Sequence, residues 1–134
     1  MKRLLLLMLT LAMAPAALAH HSFAVHFVGD RTIKVTGVVD VFHFTNPHGI
    51  LEFTVTDDKG AKVKWRAETN SPNSLRRRGW AKDSLKPGDQ ITIEGFPGRD
   101  EPNYMRISHV WLADGKELSA QAKSDDVEPE AKDK

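Results

Sequence analysis

The sequence predicts an all-β fold: a small five-stranded barrel with one short helix between strands 3 and 4. Three observations predict it. Apolar and polar residues alternate in five separate segments, the pattern of a sheet buried on one face and wet on the other. A single helix-start signal, Ser71-Pro72, falls after the third of these segments. The length of 134 residues leaves room for one core and not for two.

The elements follow in order. Thr32 to Phe44 is long and β-branched, and Gly37 inside it marks a bulge or a sharp bend at a barrel corner. Asn46-Pro47-His48-Gly49 reads as a turn. Leu51, Phe53 and Val55 then alternate with Glu52, Thr54 and Thr56, and Asp57-Asp58-Lys59-Gly60 makes a hairpin loop. The third strand sets Val63, Trp65 and Ala67 on one face, in phase with the core, and Lys62, Lys64, Arg66 and Glu68 on the other. Ser71 caps a short helix with Pro72 at its first position, and Gly79 closes it in a left-handed conformation. Lys86-Pro87-Gly88-Asp89 turns into the alternating run Gln90 to Gly95, and a last strand runs from about Tyr104 to Leu112 before the turn Ala113 to Lys116. Three strands, a helix and two strands match the order of the OB barrel. An open β-sandwich is the alternative, and the helix position separates the two.

Both chain ends lie outside this unit. Met1-Lys2-Arg3, the apolar run Leu4 to Met13, the break at Pro15 and the small-x-small site Ala17-Leu18-Ala19 spell a secretory leader over residues 1–19. The run is too short to span a bilayer core of about 30 Å. Cleavage after Ala19 exposes His20 as the first residue and, by removing Lys2 and Arg3, turns a formal charge of +1 into −1. Residues 119–134 (SAQAKSDDVEPEAKDK) have one β-branched residue and no aromatics, too little apolar area to offset ordering costs of about 1–2 kcal/mol per residue. They read as a disordered charged tail, which leaves 20–118 as the barrel domain.

Composition excludes several classes of function. With no Cys there is no disulfide framework, no thiolate metal site, no thiol nucleophile and no lipid-anchoring cysteine. A near-neutral charge, and Phe53 and Trp65 in phase with the core, speak against nucleic acid. No glycine-rich phosphate loop or G-x-S-x-G elbow is present, and Asp57-Asp58 sits at a hairpin tip, so the sequence predicts no enzyme.

A leader ending in Ala, then His20-His21-Ser22-Phe23, Thr45-Asn46-Pro47-His48, the stretch Ser71 to Trp80 and Lys86-Pro87-Gly88-Asp89 together resemble a family of small secreted proteobacterial proteins. That family is known as a domain of unknown function (6152). The resemblance spans nearly the whole mature chain except the tail. It implies secretion and a compact β fold, and it brings no activity with it.

Two groups of residues are candidates for binding. After cleavage, His20 offers an α-amine and an imidazole that chelate one metal together, and His21 adds a second imidazole. Amine and imidazole nitrogens suit Cu(II), Ni(II) or Zn(II), with Cu(II) first in affinity. This arrangement resembles the amino-terminal histidine sites of periplasmic copper proteins. His48, in an exposed rim turn, is the third ligand expected; His26 and His43 are weaker candidates, and His109 alternates into the barrel wall. The second group is Glu68, Asn73, Arg76 and Trp80, where an arginine fork and an indole would meet a small ligand or a partner. Its alternative is structural: arginines capping a helix and Trp80 closing one barrel end. The sequence thus predicts a periplasmic, monomeric barrel, without a membrane span once cleaved. It acts by binding, either copper (Cu2+) or another divalent metal through His20, His21 and His48, or a small ligand or periplasmic partner through its rim loops and the Arg76–Trp80 region.

Overall fold

The computed structural model describes residues 26–120; the leader, His20, His21 and everything beyond Ala120 lie outside the described residues. The elements are β1 (Ile33–His43), β2 (Ile50–Thr56), β3 (Lys62–Glu68), α1 (Pro72–Arg76), β4 (Gln90–Pro97), β5 (Tyr104–Leu112) and β6 (Glu117–Ser119). The sheet order is β3-β2-β1-β4-β5-β6, and β3 also pairs with β5. That last pairing is parallel, Arg66 to Tyr104 through Glu68 to Arg106, and it closes the first five strands into a barrel. An open sandwich has no such closure. Among the described residues, no helix is long and apolar enough to cross a membrane.

β1 turns the corner that its glycine announced. Its first half pairs with β4 up to Val38–Gln90, and its second half pairs with β2 from Val38–Thr54 onward. A Cβ on Gly37 would lie 2.7 Å from the Thr54 carbonyl oxygen, so only glycine fits the bend. The bulge itself lies farther on, between Val39 and Val41, with Asp40 as the extra residue.

The alternating residues fill the interior as their phase requires. Leu51, Phe53, Ala67, Ile93, Met105 and Val110 are fully buried, each large side chain worth roughly 1.5–3 kcal/mol of transfer free energy. Trp65 keeps the core phase and packs on Phe53 with ring centroids 6.0 Å apart, yet it stays half-buried near the barrel's edge. The helix seals one end. The Ser71 hydroxyl accepts from the Ser74 N–H at 3.4 Å, Pro72 opens the first turn, and Gly79 ends the motif at φ +84°. Leu75, Trp80 and Leu85 drop from this segment into the core.

The C-terminal boundary moves. Ser119 belongs to β6, pairing with His109, and Ala120 is buried, its N–H donating to the Ser108 carbonyl at 2.8 Å. The barrel domain therefore runs past 118 to at least Ala120, because a two-residue apolar step (Leu118, Ala120) completes the β5–β6 hairpin. The remainder of the expected tail, residues 121–134, falls outside the described residues.

Candidate functional site

Parallel pairing of β3 with β5 brings together polar side chains from distant parts of the chain. Outward positions alternate on β3, so Arg66 and Glu68 face the same way, and the register sets them beside Tyr104 and Arg106. The β1–β2 turn adds His48, and the residues just after β3 add Thr69 and Asn70. Gly95 makes the close approach possible: beside the β5 bulge, where Ser108 is the extra residue, a Cβ on Gly95 would lie 2.0 Å from the Arg106 carbonyl oxygen.

Glu68 is the hub. Its Oε1 accepts from Arg106 Nη1 at 2.9 Å and lies 3.3 Å from His48 Nδ1, while the Tyr104 hydroxyl donates to Oε2. Arg106 Nη2 donates to the Asn70 side-chain oxygen, and Asn70 Nδ2 donates to the Ala120 carbonyl at 2.8 Å. The side chains of Glu68 and Arg106 are only 18% and 16% exposed, so this ion pair is screened much less than a surface pair. Burial, and then the bond to Glu68, push the Tyr104 phenol up to about 12. Burial pulls the Arg106 guanidinium below its ordinary range, and the Glu68 charge works against that pull.

Two contacts bear on the tautomer of His48. Its Nδ1 is 2.9 Å from the Thr69 carbonyl oxygen, which can only accept, so assigning the proton to Nδ1 satisfies the contact. Arg106 Nη1, 3.1 Å away, is also a donor, and its hydrogen bond at 2.9 Å goes to Glu68 Oε1. In the neutral ring this leaves Nε2 with the lone pair, the arrangement that backbone carbonyls impose on metal-binding histidines.

These groups line a cleft of about 450 Å³, together with His26, Phe27 and Glu101. The segment before β1 reaches it by backbone bonds, Val28 N–H to the Pro97 carbonyl at 2.9 Å and Arg99 N–H to the His26 carbonyl at 2.8 Å. Phe27 packs on Tyr104 with centroids 5.2 Å apart. A second cleft of about 460 Å³ adjoins the first and shares Arg66, Glu101 and Tyr104 with it, extending over Asp40, Glu52 and Lys64. Arg66 lies over the Tyr104 ring at 4.6 Å and 3.5 Å from Glu101, and Lys64 is 3.0 Å from Asp40, whose carboxyl its hydrogen bond holds below the ordinary value.

The expected binding residues divide. His48 and Glu68 meet in the seam cleft, and His26 joins them; His20 and His21 lie outside the described residues. Asn73, Arg76 and Trp80 are elsewhere. Trp80 is 2% exposed and its indole N–H donates to the Ser119 carbonyl at 2.8 Å, so it offers no stacking face and acts as the plug of the barrel end. Arg76 donates to Asn73 Oδ1 at 3.0 Å and lies 5.0 Å over the Phe44 ring, and Arg78 bonds back to the Ser74 carbonyl. Local bonding within the helix therefore uses the side chains that were expected to gather a ligand around Glu68. His109 is in the wall as expected, 29% exposed and 2.7 Å from Glu117. Tyr104 and Arg106 are the residues that sequence reasoning missed. The signal was there in part: both share one phase on the fifth strand, and an OB order places that strand beside the third.

Among the described residues, no group of three or more His, Asp or Glu is placed to hold a metal ion. The cleft supplies an oriented imidazole and paired charges, and a metal bound there would need further donors. A family model described as "Family of unknown function (DUF6152)" matches residues 8–105. No curated protein matches the chain.

Proposed function

The chain belongs to the DUF6152 family, and for it we propose a periplasmic barrel that binds rather than catalyses, holding copper or another divalent transition metal between its processed N-terminus and the seam cleft. One observation carries the reading: His26 and His48 line the same cleft, with His48 Nδ1 held 2.9 Å from the Thr69 carbonyl oxygen. His21 is five positions before His26, so a fully extended chain keeps His21 within roughly 17 Å of the cleft wall. His20 would chelate through its α-amine and imidazole, His21 would add an imidazole, and His48 would close the site with Nε2. The cationic neighbours are offset, since Arg106 sits on Glu68 and Arg66 on Glu101.

Isothermal calorimetry with Cu(II) near pH 7.5 tests this on protein beginning at His20. One Ala added before His20 weakens binding strongly, and His48→Ala weakens it by a smaller factor. Binding fades in acid as protons compete for the imidazoles, reference pKa about 6.5, and the amine, about 8. Failure to bind Cu(II) or Zn(II) below millimolar concentration removes the proposal.

A second reading draws on the two adjoining clefts. They cover the strand 2–3 face and the β4–β5 loop, the face that OB barrels use for ligands, and their lining mixes carboxylates with guanidinium groups. A small zwitterionic or polar ligand bound there would ignore the added Ala and respond to Arg66→Ala, which separates the two readings.

A further inference from the structure

Among the described residues, part of one edge of β3 is unpaired, and its charge pattern is one that another segment of this chain matches. β5 covers β3 only from Arg66 to Glu68, so Lys62 to Trp65 extend beyond it. The direction of their backbone groups follows from the ladder. The Arg66 N–H leaves β2 and donates to the Asn103 carbonyl at 2.9 Å, whereas the Thr69 N–H points to Gly49 at 2.8 Å. Antiparallel ladders alternate, so the N–H and C=O groups of Lys62 and Lys64 point away from β2 as Arg66 does, and Val63 and Trp65 bond to β2. Among the described residues no strand receives those Lys62 and Lys64 groups. The cleft of about 460 Å³ between Lys64 and the Glu101–Tyr104 loop lies along this edge.

Lys62, Lys64 and Arg66 occupy alternate positions on the outward face of this strand. Beyond Ala120, Asp126, Glu128 and Glu130 also occupy alternate positions, with no basic residue between them. Chain geometry permits the two to meet. Ala120 is held by Asn70, six residues past Lys64 and so roughly 20 Å away along an extended strand. Glu128 is eight positions beyond Ala120, a reach of up to about 27 Å. We propose that the segment Ser124–Glu130 docks on the free edge of β3 as an antiparallel strand, with Glu128 opposite Lys64, Glu130 opposite Lys62, and Asp126 near the Arg66 guanidinium.

The register accommodates the proline. Residues opposite Lys62 and Lys64 direct their N–H groups at β3, and Pro129, between them, faces solvent, where a missing N–H forfeits no bond. A second copy of the same edge is disfavoured, because it would set Lys62, Lys64 and Arg66 against like charges. Asp40 already neutralises part of the Lys64 charge and Glu101 part of that of Arg66, so backbone pairing and the remaining charge complementarity hold the segment together, and charge selects the register.

Amide hydrogen exchange reads this directly. In protein from His20 to Lys134 the Lys62 and Lys64 amides exchange at least about tenfold more slowly than in protein ending at Ala120, at low salt. The Val63 and Trp65 amides, bonded to β2, report an intact barrel in both. Reversing Asp126, Glu128 and Glu130 to Lys removes the protection, and adding Lys62→Glu with Lys64→Glu restores it. Equal exchange at Lys62 and Lys64 in the two proteins overturns the proposal. So does protection that grows with protein concentration, which would assign the edge to a second copy.

Discussion

The helix end and the seam are both polar in sequence, and the molecule uses them in opposite ways. From Ser71 to Trp80 the polar residues are dense along the chain, and they bond to one another: Arg76 to Asn73, Arg78 to Ser74, Ser71 to Ser74. The segment's apolar members, Leu75 and Trp80, seal the barrel. In the seam, His48, Glu68, Tyr104 and Arg106 are scattered over 59 positions of sequence and converge on one carboxylate. Density along a chain reports local capping; convergence across a parallel register builds a site.

The strongest way to break this comparison is Trp80→Ala. It empties the plug and should remove about 3–5 kcal/mol of stability in urea titrations. A loss under about 1 kcal/mol would mean that the helix end is not the seal. Glu68→Gln comes next. It strips a mostly buried Arg106 of its carboxylate and should lower stability by about 2 kcal/mol. Combined with Arg106→Met the loss should fall short of the sum of the two single losses, and strict additivity would show that the seam is not a coupled unit.

Tyr104 offers a finer probe because it is the sole tyrosine of the chain. Its phenolate absorbance should titrate with a midpoint of about 12. The sign is fixed: the folded chain holds a proton that the unfolded chain releases near pH 10, so this stability is present below about pH 10 and is lost as pH rises towards 12. In Glu68→Gln the midpoint should move only part of the way back, since burial, the larger cause, remains. Arg76→Ala should have the smallest effect, about 0.5–1 kcal/mol for an exposed guanidinium over Phe44, with Cu(II) affinity unchanged.

Much of the barrel was legible before any coordinates. Alternation from Leu51 to Val55 and from Val63 to Ala67 located β2 and β3, and Ser71-Pro72 with Gly79 bracketed the helix, because period-two burial and capping are local effects. The bulge at Asp40 was not legible; it depends on how β1 divides its pairing between two neighbours. Nor was β6, three residues long and defined by its partner β5. The site was half legible. His48 and Glu68 could be picked as polar residues near a turn and a strand end, but their meeting with Tyr104 and Arg106 depends on a parallel register that no local pattern encodes. Trp80 was read two ways, as a stacking face and as the closure of one barrel end, since an indole in a polar stretch looks exposed until a barrel is built under it.

The three-residue closure between β3 and β5 also shapes the kinetics of the molecule. Arg66 and Tyr104 are 38 positions apart, and holding the ends of such a loop together forfeits about 3 kcal/mol of chain entropy, set against a short ladder. Local hairpins such as β2–β3 repay their ordering sooner, so the expected order has the seam closing after them. Substitutions at Glu68 or Arg106 should therefore hasten unfolding while leaving the folding rate nearly unchanged. On that order the cleft forms with the last step of folding, and any ligand that binds it would slow its opening.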